Sequence, residues 1–321
     1  MLEIAQSAER IEKYLKEINL PQEPANLYEP LRYFLALGGK RLRPVSTILS
    51  GSLFNATEEE LLPAAIAIEL FHNFTLLHDD IMDEAPLRRG KETVHQKWNT
   101  NIAILSGDVL FVRAYQELLK CKPKHLPELL QLFNKTAIEV CEGQQMDMDF
   151  ETRDIVSIEE YIEMIRLKTS VLLGCAMAMG GIVGGADEEQ KQFLYDIGMN
   201  LGIAFQIQDD ILDLYGNAEK VGKQVGGDVM ANKKTFLSIY ARILANEQQL
   251  AKLDELQEYY NALAKVETTK QIFSDLGIEK LASEAMSNYF LKAETSLENL
   301  SKTCNVNKLR YFVGVLKNRT Y

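Results

Sequence analysis

Two short stretches carry three carboxylates each. "DDIMD" holds Asp79, Asp80 and Asp83, and "DDILD" holds Asp209, Asp210 and Asp213. On a helix, i, i+4 spacing puts the first and last aspartate of each stretch on one face, one turn apart, where like charges repel. The first stretch closes an apolar run, and a helix C-terminus is partly negative, so carboxylates there need a cation. Hard oxygen donors of this kind suit Mg²⁺, which keeps several waters and shares its shell with substrate phosphates. One copy alone could be a solvated helix end capped by Arg88 and Arg89. Two copies, 126 positions apart from Asp83 to Asp209, cannot decorate one helix. If both helices face one cavity, six carboxylates there require several divalent ions and a polyanion.

Cations complete that logic. "GGKRLRP" places Lys40, Arg41 and Arg43 after a glycine pair, and "LRRG" adds Arg88 and Arg89. "RLKTS" supplies Lys168 and Thr169, and "VGKQVGGDVMANKKT" supplies Lys223, Lys233 and Lys234. Arginine forks match phosphate oxygens, whereas lysine acts as a mobile point charge. Each cluster alone could be a solubilising turn; together they suggest two phosphate-bearing substrates. No GxxxxGK[ST] or GxGxxG loop is present, which argues against a P-loop or dinucleotide site.

The elements that must position these groups read as helices. Prolines are few, and the stretches between turn signals are rich in Leu, Ala, Glu, Lys, Gln and Met. "LLPAAIAIELFHNFTLL", Leu61 to Leu77, is apolar nearly all round, the mark of a buried helix. "LAKLDELQEYYNALAKV", Leu250 to Val266, reads as an amphipathic surface helix. With strand signals scarce and no linker or repeat, the expectation is an all-α bundle in one domain, residues 1–321.

The net charge of −11 and pI near 5.1 argue against a nucleic-acid binder, which needs a broad basic surface. Cys121, Cys141, Cys175 and Cys304 show no CxxC spacing, which suits a reducing, cytoplasmic setting. The acidic N-terminus lacks the marks of a signal or transit peptide. "VLLGCAMAMGGIV", Val171 to Val183, is 13 residues long, short of the roughly 20 that a membrane-spanning helix needs.

These motifs together resemble the trans-isoprenyl diphosphate synthases (polyprenyl synthetases). The resemblance runs from "GGKRLRP" through "DDIMD", "RRGKETVH", "NIAILSGD", "GQQMD" and "DDILD" to "NKKT". It implies an all-helical homodimer of the isoprenoid synthase type, with long helices around a deep central cavity. The implied reaction joins isopentenyl diphosphate to an allylic diphosphate with Mg²⁺, three ions in all. By the same resemblance, Asp79, Asp83 and Asp209 are the principal Mg²⁺ ligands, with Asp80, Asp210 and Asp213 supporting them or holding arginines. Lys168, Thr169, Gln206, Lys223, Lys233 and Arg88 match positions that hold the allylic diphosphate. Lys40, Arg43, His72 and Arg89 match those that hold isopentenyl diphosphate. His72 lies two turns before Asp79 on almost the same face, as that role asks; a satisfied core histidine would look the same.

The resemblance also bears on product length, where bulk at the fourth and fifth positions before the first aspartate floors the tunnel. Those are Thr75 and Phe74, with Phe71 a turn deeper, and the undivided "DDIMD" resembles geranylgeranyl-type enzymes. The expected product is C15 to C20, leaning to C20. On a regular helix Phe74 lies well away from the Asp79 face, so the floor must depend on neighbouring helices.

Some positions depart from the family pattern. Glu92 replaces the proline that often precedes "TVH", and "GGD" leaves Lys233 or Lys234 as the ligand. "KNRTY" offers Lys317 and Arg319 as a weak C-terminal basic match. A terpene cyclase would usually replace the second aspartate stretch with an Asn/Ser/Glu motif, and a non-catalytic regulatory subunit would have lost aspartates or lysines. Neither departure is present.

Overall fold

Helix starts are written into the sequence as reciprocal caps. The Thr57 hydroxyl accepts from the Glu60 N–H while the Glu60 carboxylate accepts from the Thr57 N–H. Ser157 with Glu160, and Asn246 with Gln249, repeat the arrangement. The computed structural model describes residues 2–216, 226–258 and 261–317.

In chain order the helices are α1 (Leu2–Glu17), α2 (Ala25–Ala36), α3 (Leu42–Ser52), α4 (Glu58–Met82), α5 (Val94–Lys97), α6 (Thr100–Leu118), α7 (Leu126–Thr152), α8 (Ile158–Ile165), α9 (Val171–Gly184) and α10 (Glu188–Tyr215). They continue with α11 (Gly227–Met230), α12 (Phe236–Leu244), α13 (Glu247–Gln257), α14 (Ala262–Asp275), α15 (Ile278–Ser301) and α16 (Asn307–Lys317). Among the described residues the sole sheet is a two-residue antiparallel pair, β1 (Leu87–Arg88) with β2 (Lys91–Glu92). The all-α expectation holds.

The described residues cluster into two compact units. The first comprises residues 2–134, Cys175–Tyr195 and Thr303–Leu309; the second comprises Lys135–Gly174, Asp196–Lys302 and residues 310–317. In the first, α4 packs against α3 and α6. Leu61, Ala64, Ala65, Ile66, Ala67, Ile68 and Leu70 are fully buried there, so α4 is apolar all round because it is surrounded. Each buried Leu or Ile contributes about 1.5–3 kcal/mol relative to exposure. In the second unit, Phe150, Tyr161, Ile165, Ile207, Phe236, Leu237, Phe273 and Ile278 form the core.

The 13-residue apolar run, Val171 to Val183, is part of a longer element. Helix continues from Ile158 to Gly184, 27 residues, through a π-helical turn at Arg166–Ser170. The polar "RLKTS" interrupts the hydropathy but not the helix. By length and composition both this element and α4 could cross a membrane, yet 78% and 61% of their most apolar windows are buried inside the protein. Both are therefore core helices.

Candidate active site

In the first unit, the C-terminal turn of α4 delivers Asp79, Asp80 and Asp83 in three different environments. Asp79 is half-buried and Asp83 exposed, and no basic residue lies in the helix's last turn. Asp80 is buried. Both its oxygens accept from Arg88 Nε at 2.8 Å, and Arg88 Nη2 adds a contact at 2.7 Å. Burial nonetheless raises its pKa, with Arg88 opposing. Arg89 and Gly90, at φ 53° and 74°, make the tight turn between β1 and β2, both central residues being left-handed as a type I′ hairpin requires. Asp80 thus ties this hairpin to α4.

Around the start of α3 the cations divide by partner. Arg41 is buried at φ 51° and is neutralised by Glu12, at 2.9 Å, and by Glu69. Arg43 Nη1 lies 3.2 Å from His72 Nε2. A guanidinium only donates, so this ring nitrogen accepts and the imidazole is neutral. Burial first, then Arg43, Arg89, Arg88 and Arg41, hold the His72 pKa well below the ordinary value of 6.5. The Arg89 guanidinium lies close over Gly39, where a Cβ would come within 3.1 Å of it. Among the described residues it forms no ion pair, and burial, Arg41 and Arg88 lower its pKa. Lys40 is exposed beside it in sequence. Such a crowd of like charges favours an anion.

Behind the aspartates sits an aromatic cluster drawn from three helices. Phe74 stacks on Phe111 of α6, with centroids 5.0 Å apart and planes inclined by 12°. Phe71 packs edge-on against Phe133 of α7 at 5.2 Å, and Tyr115 does the same from α6. The Thr75 hydroxyl turns back to donate to the His72 carbonyl at 2.9 Å.

In the second unit, α10 presents the other aspartates. Asp209 is exposed. Asp210 is buried, accepting from the Tyr161 hydroxyl at 2.6 Å and from the Phe236 N–H at 3.0 Å. Burial pushes its pKa up to about 7 against those donors. Asp213 accepts from the Asp228 N–H at 3.0 Å through its side chain and from the Gly226 N–H at 2.7 Å through its carbonyl. Lys168 and Thr169 protrude from the π-helical turn, a distortion frequent at functional sites. Gly143 and Gly202 let neighbouring helices approach that turn, since a Cβ on either would lie 2.2 Å from Lys168 N or 2.6 Å from Ser170 Cα. Lys168 Nζ donates to Asp147 at 2.5 Å, and the Thr169 hydroxyl to Gln206 Oε1 at 3.4 Å. Lys233 is exposed and Lys234 half-buried, on a concavity bordered by Asp210, Asp213, Asn232 and Lys265. Lys223 and Arg319 lie outside the described residues; Lys317 pairs with Glu294 at 2.8 Å.

Among the described residues no three His, Cys, Asp or Glu side chains form a ready-made metal cage. Mg²⁺ takes one or two carboxylates and completes its shell with water and phosphate. Asp83 and Asp209 are exposed and Asp79 is half-buried; Asp80, Asp210 and Asp213 hold the scaffold.

Several groups lay beyond sequence reasoning. "GQQMD" carried Asp147 with no role, and nothing in the spacing pairs it with Lys168. Phe111, Tyr161 and Lys265 had no local signal at all. Gln144 has both amide atoms buried without a hydrogen-bond partner among the described residues, a state costing about 1–3 kcal/mol.

An all-helical protein with paired aspartate stretches and arginine-rich anion sites belongs to the class that acts on diphosphates with a divalent metal. Residues 24–276 match the polyprenyl synthetase family. A geranylgeranyl pyrophosphate synthase of Geoglobus acetivorans is 39% identical, the match covering 94% of this chain and 92% of the relative. A geranylfarnesyl diphosphate synthase of Natronomonas pharaonis is 34% identical, over 99% and 97%. A crystal structure of a geranylgeranyl pyrophosphate synthase superposes with a TM-score of 0.92 at 44% identity, covering 99% of both chains. The chain belongs to the polyprenyl synthetase family, and its activity is that of a short-chain prenyl diphosphate synthase, a prenyltransferase. Polyprenyl synthetases generally use Mg²⁺. The relatives lend no support to the terpene cyclase or regulatory-subunit readings.

Proposed function

We propose that the protein, acting as one domain over residues 1–321, extends allylic diphosphates with isopentenyl diphosphate to a C20 product, with C15 next. The observation that carries the length is the Phe74–Phe111 stack behind the aspartates, braced by Phe71 and Phe133. It supplies from a neighbouring helix the floor that Phe74 and Thr75 cannot make alone.

Arg89, without a carboxylate partner among the described residues, holds isopentenyl diphosphate with Lys40, Arg43 and His72. Arg88, Lys168, Thr169, Gln206, Lys223 and Lys233 hold the allylic diphosphate. Asp79, Asp83 and Asp209 would hold three Mg²⁺ ions, which neutralise charge on the departing diphosphate. The lysines and Arg88 stabilise the same charge as the allylic C–O bond breaks and its electron pair leaves with the diphosphate. Arg43, Arg89 and Lys40 keep the isopentenyl double bond in reach of the allylic carbon, so attack is effectively unimolecular. The aromatic cluster excludes water from the cation. The released diphosphate takes a proton from the new cation, which restores a double bond and gives the lengthened allylic diphosphate.

The outward face of α6 supports the homodimer. Leu105 and Val112 on α6 and Leu119 at its C-cap recur every seven residues at 58%, 58% and 64% exposure, a stripe fit for a second copy. The thiols suit a cytoplasmic protein.

The test is to incubate purified protein with isopentenyl diphosphate and each allylic primer, with Mg²⁺ or excess chelator, and weigh the products. Metal-dependent C20 diphosphate supports the proposal. Products much longer than C20 would remove the aromatic floor from it.

A further inference from the structure

Lys233 follows a turn whose shape is held from outside. The turn begins where Gly226, at φ 83°, donates to the Asp213 carbonyl, and it ends at Asn232, a non-glycine residue at φ 53°. A left-handed conformation is unfavourable for a residue with a Cβ unless its side chain finds partners. Asn232 has two. Its Nδ2 donates to the Gln257 carbonyl at 3.2 Å, and its Oδ1 accepts from Lys265 Nζ at 2.7 Å. Lys265 also donates to the Met230 carbonyl at 3.5 Å. The next residue on the same helix, Val266, lies against Gly226, where a Cβ would come within 2.6 Å of it. The first turn of α14 therefore grips both ends of the segment from 226 to 232.

Lys265 is an expensive residue for packing alone. It is 3% exposed and makes no ion pair among the described residues. It also sits in the first turn of α14, at the positive end of the helix, with no acidic residue in that turn. Methionine would fill a similar volume without desolvating a charge. What the ammonium adds is the pair of hydrogen bonds that hold Met230 and Asn232 immediately before Lys233.

We propose that Lys265 is a positioning residue for allylic diphosphate binding: it locks Asn232 in the left-handed conformation that aims Lys233. This rests on Lys233 being a ligand of that diphosphate, as proposed above.

The experiment compares Lys265→Met, Asn232→Ala, Lys265→Met with Asn232→Gly, and Lys233→Ala by steady-state kinetics, with circular dichroism and thermal melting as folding controls. Lys265→Met is expected to raise KM for the allylic diphosphate about tenfold while KM for isopentenyl diphosphate stays within about twofold. Asn232→Ala alters an exposed side chain and is expected to do the same, which keeps the test open should Lys265→Met not fold. Adding Asn232→Gly to Lys265→Met is expected to recover a large part of the loss, because glycine adopts φ near 53° without a partner. A parallel rise in both KM values, an unchanged allylic KM, or no recovery in the double variant would overturn the proposal. Lys233→Ala separates the two ideas. If it leaves the allylic KM unchanged, the Lys233 assignment falls and takes the Lys265 proposal with it. If Lys233→Ala raises that KM and Lys265→Met does not, only the Lys265 proposal falls.

Discussion

Arg43 Nη1 meets His72 Nε2 at 3.2 Å. The contrast with Arg41, which Glu12 and Glu69 neutralise, is chemical. A neutral imidazole orients a guanidinium without itself cancelling the charge. The α3–α4 contact thus yields one structural arginine and one oriented cation two residues apart.

That arrangement has a pH signature. The folded His72 pKa lies below 6.5, so as pH falls through about 6.5 the unfolded chain takes up a proton that the folded protein refuses. Stability is lost on acidification through that window. His72→Asn removes the titration. Melting temperatures measured from about pH 7.5 to about pH 5.5 should show the variant gaining on the wild type as pH falls. A constant difference would mean that His72 does not titrate abnormally.

The aspartates of the first stretch should separate by phenotype. Asp80→Asn breaks a buried charge pair and is expected to destabilise the fold by about 3 kcal/mol, read as a lower melting temperature. Asp79→Asn relieves repulsion at a helix C-terminus, so stability should hold or rise by about 0.5 kcal/mol. Its activity with Mg²⁺ should nevertheless fall about a hundredfold or more. Similar melting losses in both variants would sink the division of roles.

Lys168 depends on Asp147 for its direction. Both side chains are about a quarter exposed, 23% and 29%, so solvent screens the pair and its worth is about 1 kcal/mol. Asp147→Asn should raise KM for the allylic diphosphate about fivefold with little change in melting temperature. A kinetic profile like the wild type's would show that Lys168 finds its place unaided.

Phe111 and Phe74 stack on each other, so removing either opens the same space. Phe111→Ala and Phe74→Ala should each shift products from C20 toward longer chains, at a stability cost of about 3 kcal/mol or less, since both rings are only half-buried. Mass spectrometry of the products decides. Lengthening by Phe74→Ala alone would take Phe111 out of the floor.

The helical class and the presence of two aspartate stretches were legible because they depend on local pattern. A run such as Leu61 to Leu77 can only be a buried helix, and i, i+4 spacing sets which carboxylates share a face. Partner choice was not legible. Asp147 and Lys168 lie 21 residues apart, and Tyr161 and Asp210 lie 49 apart; no periodicity connects them. The helix through Ile158–Gly184 is longer than its apolar run because Arg166 and Lys168 break the hydropathy while the backbone continues through a π turn.

From the amino-acid sequence alone follow the fold class, the metal-suited carboxylates and the cations, since each rests on a residue's own chemistry and its neighbours within a turn or two. Only tertiary packing decided which charges stay available. It turned Asp80, Asp210 and Arg41 inward to hold the scaffold and set Arg43 on a neutral imidazole. It also brought Phe111 against Phe74. Burial and contact between distant segments set a group's charge state and direction, and these are properties of the folded chain.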